Sequence, residues 1–125
     1  MRQPRTTNKS ILIIDNSLLI VERLIGILKE VKIAAKFFSA ANYNEAVKIL
    51  GEKEMDVVLL DIQLSGKSGI ELLKFIVKNH PEVKVVIISN LVSVYYQRLC
   101  KKLGSAGFID KSRDFDLIPE VVGAL

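Results

Sequence analysis

Short apolar runs alternate along the chain with segments in which apolar residues recur at three- and four-residue spacing. Residues 11–14, 57–60 and 85–88 are Ile-, Val- and Leu-rich runs of four, each followed by a polar residue: Asp15, Asp61 and Ser89. Runs of that length without alternation predict strands covered on both faces. Between them, Leu18, Val21, Leu24, Ile25, Leu28 and Val31 form one helical stripe. Asn42 followed by Glu45 makes a capping-box pattern, and the helix it opens turns Ala46, Val47, Ile49 and Leu50 inward until Gly51 ends it. Ser68-Gly69 opens a third helix with Leu72, Leu73, Ile76 and Val77 on its buried side, closed by His80-Pro81. A fourth helix is expected over residues 91–103, stopping at Gly104, and a short strand over residues 107–110. The last helix covers residues 116–125, with Pro119 tolerated in its first turn.

A strand over residues 32–39 completes five β/α units in strict alternation, which calls for a parallel sheet with right-handed crossovers. The expected fold class is α/β, a flavodoxin-like doubly wound (βα)5 sandwich whose five-stranded parallel sheet runs in the order 2-1-3-4-5. That order sets the first strand beside the third, and function belongs at the carboxyl ends of the strands near that point. A chain of 125 residues, half of them apolar, makes one domain and buries a core without covalent staples. The strongest apolar runs, such as residues 11–14 and 18–21, are far shorter than the 20 or so residues of a membrane span. No apolar stretch of signal-peptide length follows the basic start, and Cys100 has no second cysteine to pair with, so a reducing cytoplasm is expected. The net charge of +4 is concentrated in Arg2, Arg5 and Lys9, read as a flexible basic tail over residues 1–9 ahead of a domain over residues 10–125. The remainder is nearly neutral, which excludes a general phosphate-binding surface and direct nucleic-acid binding by the domain.

Four polar positions converge on one edge of this sheet: Asp15 with Asn16, Asp61, Ser89 with Asn90, and Lys111 just past the fifth strand. Asp15 and Asp61 fall on adjacent strands, about 4.8 Å apart, and carboxylates that close repel unless something cationic lies between them. A hard divalent ion meets that demand, and Mg²⁺ characteristically takes one or two carboxylates, keeps waters and completes its shell with phosphate oxygens. Lys111 carries an ammonium back toward an anion on Asp61, with the Ser89 hydroxyl between them. A carboxylate nucleophile, a metal, a base and a hydroxyl are the groups an aspartyl-phosphate site requires.

These residues carry a family resemblance. ILIIDNS at 11–17, VVLLDIQLSGKSGIELL at 57–73, VVIISN at 85–90 and GFIDKS at 107–112, in this order and spacing, resemble the CheY-like receiver domain of bacterial two-component response regulators over residues 10–125. The resemblance implies a signalling module, not an enzyme. In it Asp61 accepts a phosphoryl group from a sensor histidine kinase or phosphotransfer protein in a phosphorelay. It also implies that Asp15, Asp61 and the backbone carbonyl of Gln63 bind Mg²⁺, with Asn16 at a further ligand position. Ser89 would turn toward the phosphate and Lys111 would pair with it. Phe108 would be the aromatic whose rotamer reports the site's state to the surface of the fourth helix, fifth strand and fifth helix.

The chain departs from the family pattern at several points. Asn16 stands where the family usually has a second acid, so weaker Mg²⁺ binding and slower phosphorylation are expected. Ser65 and Ser112 replace two common prolines, and a cis bond ahead of Ser112 would cost about 2.5–4 kcal/mol. Asn90 stands where the family prefers a small residue and narrows access to the phosphate. These departures make a degenerate receiver, acting as a phosphorylation-independent interaction module, the alternative reading. A flavin binder would want a hydroxyl- and glycine-rich loop after the first strand, and a haloacid-dehalogenase-like phosphatase would want an acid at Gln63; neither is present.

Tyr95 and Tyr96 are helical neighbours about 100° apart, so at least one is expected in solvent. With Leu91, Val92 and Leu99 they make an apolar patch suited to a partner or to a homodimer through the fourth-helix and fifth-helix face. His80 reads as a surface residue and Cys100 as a small core hydrophobe. No output domain follows residue 125, so the chain is expected to be either a stand-alone receiver or part of a longer regulator.

Overall fold

The computed structural model describes residues 9–31, 34–64 and 68–125. Its elements run β1 (Lys9–Ile14), α1 (Leu18–Glu30), β2 (Ala34–Ala40), α2 (Tyr43–Glu52), β3 (Val57–Asp61), α3 (Gly69–Asn79), β4 (Lys84–Ser89), α4 (Val94–Leu103), β5 (Gly107–Asp110), a 3₁₀ turn at Phe115–Leu117, and α5 (Ile118–Gly123). The five strands form one parallel sheet in the order β2-β1-β3-β4-β5, the common doubly wound order expected for five such units.

Alternate residues of each strand face opposite sides of the sheet, and both sides are covered. Leu12, Ile14, Val58, Leu60, Val85 and Ile87 pack in one core with Ala46 and Leu50 of α2 and Leu72, Leu73 and Ile76 of α3. Ile11, Ile13, Val57, Leu59, Val86 and Ile88 pack in the other with Val21, Leu24 and Leu28 of α1 and Ile118 and Val122 of α5. Unbroken apolar runs are the consequence of that double burial.

Four helices begin at a side-chain cap: Ser17, Asn42, Ser68 and Ser93 each accept a backbone N–H from three residues on. The capping box is reciprocal, because Asn42 accepts from Glu45 N–H at 2.9 Å while Glu45 accepts from Ala41 N–H and the Asn42 amide. Ser93 accounts for one correction. It caps α4 at Val94, so residues 91–93 form a loop and not the predicted first turn. Gly51 lies inside α2, which continues to Glu52. In the α1 stripe Leu18 and Val31 are exposed, since one opens the helix and the other caps its end. The last helix starts with the 3₁₀ turn and its α-helical part is Ile118–Gly123, with Pro119 in the first turn. Lys9 opens β1 and is no part of a tail; the rest of the predicted tail, residues 1–8, lies outside the described residues, as do Lys32, Ile33 and Ser65.

Candidate functional site

Among the described residues, the buried polar or charged side chains are Asp15, Asp61 and Ser89, at 2%, 4% and 0% exposure. Burying such groups is costly unless they are partnered, so three of them at the carboxyl ends of neighbouring strands mark a place where chemistry outweighs stability. Ile14 pairs with Leu60 and Asp61 with Ile88, which carries Asp15, Asp61 and Ser89 to one edge. Local turns hold each in place. Asp15 Oδ1 accepts Ser17 N–H at 2.8 Å, Asp61 Oδ1 accepts Gln63 N–H at 2.9 Å, and Ser89 Oγ accepts Leu91 N–H at 2.9 Å.

Lys111 closes the cluster. Its backbone N–H donates to the Ser89 carbonyl at 2.9 Å, and its Nζ lies 2.7 Å from Asp15 Oδ2 and 3.0 Å from Asp61 Oδ2. The two carboxylate oxygens are therefore no farther apart than those two distances together. The Lys111 ammonium donates to Asp61 Oδ2 and stands against Asp15 Oδ2 at still closer range, so one cation meets an oxygen of each buried carboxylate. Burial works against the Lys111 charge, but hydrogen bonding and attraction from Asp15 and Asp61 outweigh it and hold the ammonium's pKa above the ordinary lysine value. The repulsion foreseen between the acids is thus relieved by an ammonium. The oxygen-rich donor set, two buried carboxylates with Asn16 and Gln63 beside them in sequence, suits a hard divalent cation by its chemistry, although no three of His, Cys, Asp and Glu converge among the described residues.

Asn16 and Gln63 are exposed at the rim, next to Asp15 and Asp61 in sequence. Phe108 stands apart from the carboxylate–lysine cluster. It is half-buried on the edge strand β5, and lines a hollow of about 370 Å³ with Val94, Gln97, Arg98 and Lys101 of α4. Tyr95 is 67% exposed and Tyr96 packs on the core, their rings edge to face at 5.2 Å, and Leu99 is half-buried beside them. Ser112 Oγ donates to Asn90 Oδ1 at 2.9 Å. That contact joins two residues noted in the sequence only as departures, and nothing in their spacing announces it. Among the described residues every peptide bond is trans, Lys111–Ser112 included.

A sequence model of the response regulator receiver domain matches residues 11–122. The chain belongs to that family. This receiver is 29% identical over 126 residues to the transcriptional regulatory protein DegU of Brevibacillus brevis, covering 98% of this chain and 52% of DegU. It is 32% identical over 113 residues to sporulation initiation phosphotransferase F of Bacillus subtilis, covering 86% of this chain and 91% of that protein. Its fold matches, with a TM-score of 0.81 and 21% identity, a response regulator from Burkholderia pseudomallei solved with a phosphorylated aspartic acid, a calcium ion and citrate. That match covers 92% of this receiver and 66% of the Burkholderia chain. The receiver thus spans about half the length of DegU. It is a signalling module of two-component systems, and among its described residues no helix is long and apolar enough to cross a membrane.

Proposed function

We propose that Asp61 accepts a phosphoryl group from a phosphohistidine of a sensor histidine kinase or phosphotransfer protein. The reading is carried by one observation: two buried carboxylates, Asp15 and Asp61, share the Lys111 ammonium at the sheet's switch point. An Asp61 carboxylate oxygen attacks phosphorus, an O–P bond forms as the P–N bond of the phosphohistidine breaks, and the imidazole leaves with a proton from solvent. Lys111 offsets the added negative charge and stays within reach of the phosphoryl oxygens. At rest the Ser89 hydroxyl accepts Leu91 N–H, and it turns to donate its proton to those oxygens.

Asp15, Asp61 and Asn16, with the Gln63 backbone carbonyl, would hold Mg²⁺. When bound, the ion supplies positive charge against the incoming phosphoryl oxygens. Ser89 and Phe108 then bias the α4–β5–α5 surface between two populations. Tyr95, Tyr96 and Leu99 supply the apolar part of that surface, for a downstream partner or a second copy of the receiver. The setting is cytoplasmic.

Intact-mass spectrometry after incubation with a small phosphodonor and Mg²⁺ tests this reading. The expected result is the gain of one phosphoryl group in the native chain and none in Asp61→Ala. No gain in the native chain would favour the degenerate receiver, whose surface acts without phosphorylation.

A further inference from the structure

We propose that Asn90 and Ser112 act as positioning residues, a side-chain latch that holds the phosphoacceptor site in its resting arrangement; the inference rests on the reading of Asp61 given above. Asn90 follows Ser89 at the end of β4, and Ser112 follows Lys111 at the end of β5. The latch therefore joins the loop that follows Ser89 to the loop that carries Lys111, whose Nζ lies 3.0 Å from Asp61 Oδ2. Two bonds span the gap: Lys111 N–H to the Ser89 carbonyl at 2.9 Å, and Ser112 Oγ to Asn90 Oδ1 at 2.9 Å. Ser112 is itself fixed, because its backbone N–H donates to Asp110 Oδ1 at 2.9 Å while the Asp110 carbonyl accepts from Arg113 and Asp114.

On the β4 side, Ser89 Oγ is engaged with Leu91 N–H, so the resting loop folds Ser89 back on itself with Asn90 between the bonded pair. Turning Ser89 toward an oxygen on Asp61 gives up its bond to Leu91 N–H, so that residues 89–91 rearrange and the Asn90 side chain moves with them. Its bond to Ser112 is broken or pulls on the loop carrying Lys111. A bond made in the resting state and lost in the phosphorylated one weights the resting state, by linkage. The latch is a brake on phosphorylation, built from the two positions at which this chain lacks the family's small residue and proline.

The test is a double-mutant cycle in the rate at which the chain takes a phosphoryl group from acetyl phosphate and Mg²⁺, with acetate leaving. Both residues are exposed, so truncation leaves the core intact, which circular dichroism verifies. Asn90→Ala and Ser112→Ala are each expected to speed phosphorylation about two- to tenfold, the factor that one neutral hydrogen bond implies. The double variant is expected to be no faster than either single one, because both remove the same bond. Ser112→Thr, which keeps the hydroxyl, should retain the native rate. Unchanged single variants, or rates that multiply in the double variant, would overturn the latch while leaving Asp61 as acceptor. A native chain that takes no phosphoryl group overturns the acceptor reading, and the latch with it.

Discussion

Lys111 is the residue on which the site's electrostatics turn. Its side chain stands between two buried acids, so replacing it with Met leaves Asp15 and Asp61 facing each other without a cation. Lys111→Met should lower stability by about 1–3 kcal/mol near neutral pH, measured by urea denaturation. Because the folded chain holds the Lys111 proton more tightly than the unfolded one, its contribution is complete below the ordinary lysine value of 10.5 and is lost as pH rises through the higher folded value. The gap between native chain and variant should therefore stay flat through neutrality and narrow only at strongly alkaline pH. The acids make a complementary prediction. Mg²⁺ at ten times its Kd should stabilise the native chain by about 1.4 kcal/mol, and Asp15→Asn should abolish most of that gain, as a thermal melt with and without the ion would read. Asp15, Asp61, Ser89 and Lys111 were all legible in the sequence, since each ends or follows an apolar strand run. That an ammonium occupies the space between the carboxylates was not, because its reach across two strands depends on side-chain conformation.

At the scale of elements, two helix ends depend on glycines, and one of them, the start of α3, lies against the site. A Cβ on Gly69 would come within 2.2 Å of Ile62 Cα and 2.7 Å of the Asp61 carbonyl oxygen, both backbone atoms with no freedom to yield. Gly69→Ala should therefore push α3 away from the end of β3, cost about 1–3 kcal/mol in chemical denaturation and slow phosphorylation by displacing Asp61. Gly104 closes α4 at φ of +110°, in the left-handed region, and its replacement by Ala should cost about 1 kcal/mol. Periodicity and caps sufficed to place all five helices, but their ends slipped where two residues compete for one role. Asn90 and Ser93 are both competent caps ahead of the same apolar run, and the structure uses Ser93 while Asn90 turns to Ser112. Gly51 reads as a helix stop, yet α2 runs on because Lys53 N–H still reaches the Ile49 carbonyl. The close approach of Gly69 is tertiary and leaves no local trace.

For the whole molecule, the strand order decides function, because it alone brings residues 15, 61, 89 and 111 to a common edge. Strict alternation of apolar runs and helical stripes made the parallel sheet legible, and 2-1-3-4-5 is the common order for five such units. The surface beyond the site was partly so. One of two adjacent tyrosines had to face solvent, and it is Tyr95, beside Arg98 and Lys102. Tyr95→Glu should weaken association of the phosphorylated receiver with itself or a partner and leave phosphorylation unchanged, as sedimentation alongside intact-mass measurement would establish. Function turns on one carboxylate, that of Asp61, becoming an acyl phosphate. Borohydride trapping of the acyl phosphate after reaction with a phosphodonor and Mg²⁺, followed by peptide mapping, tests it most directly. Reduction of a single aspartate, residue 61, is expected; reduction elsewhere, or none in a chain that has gained phosphate, would rule out Asp61 as the acceptor.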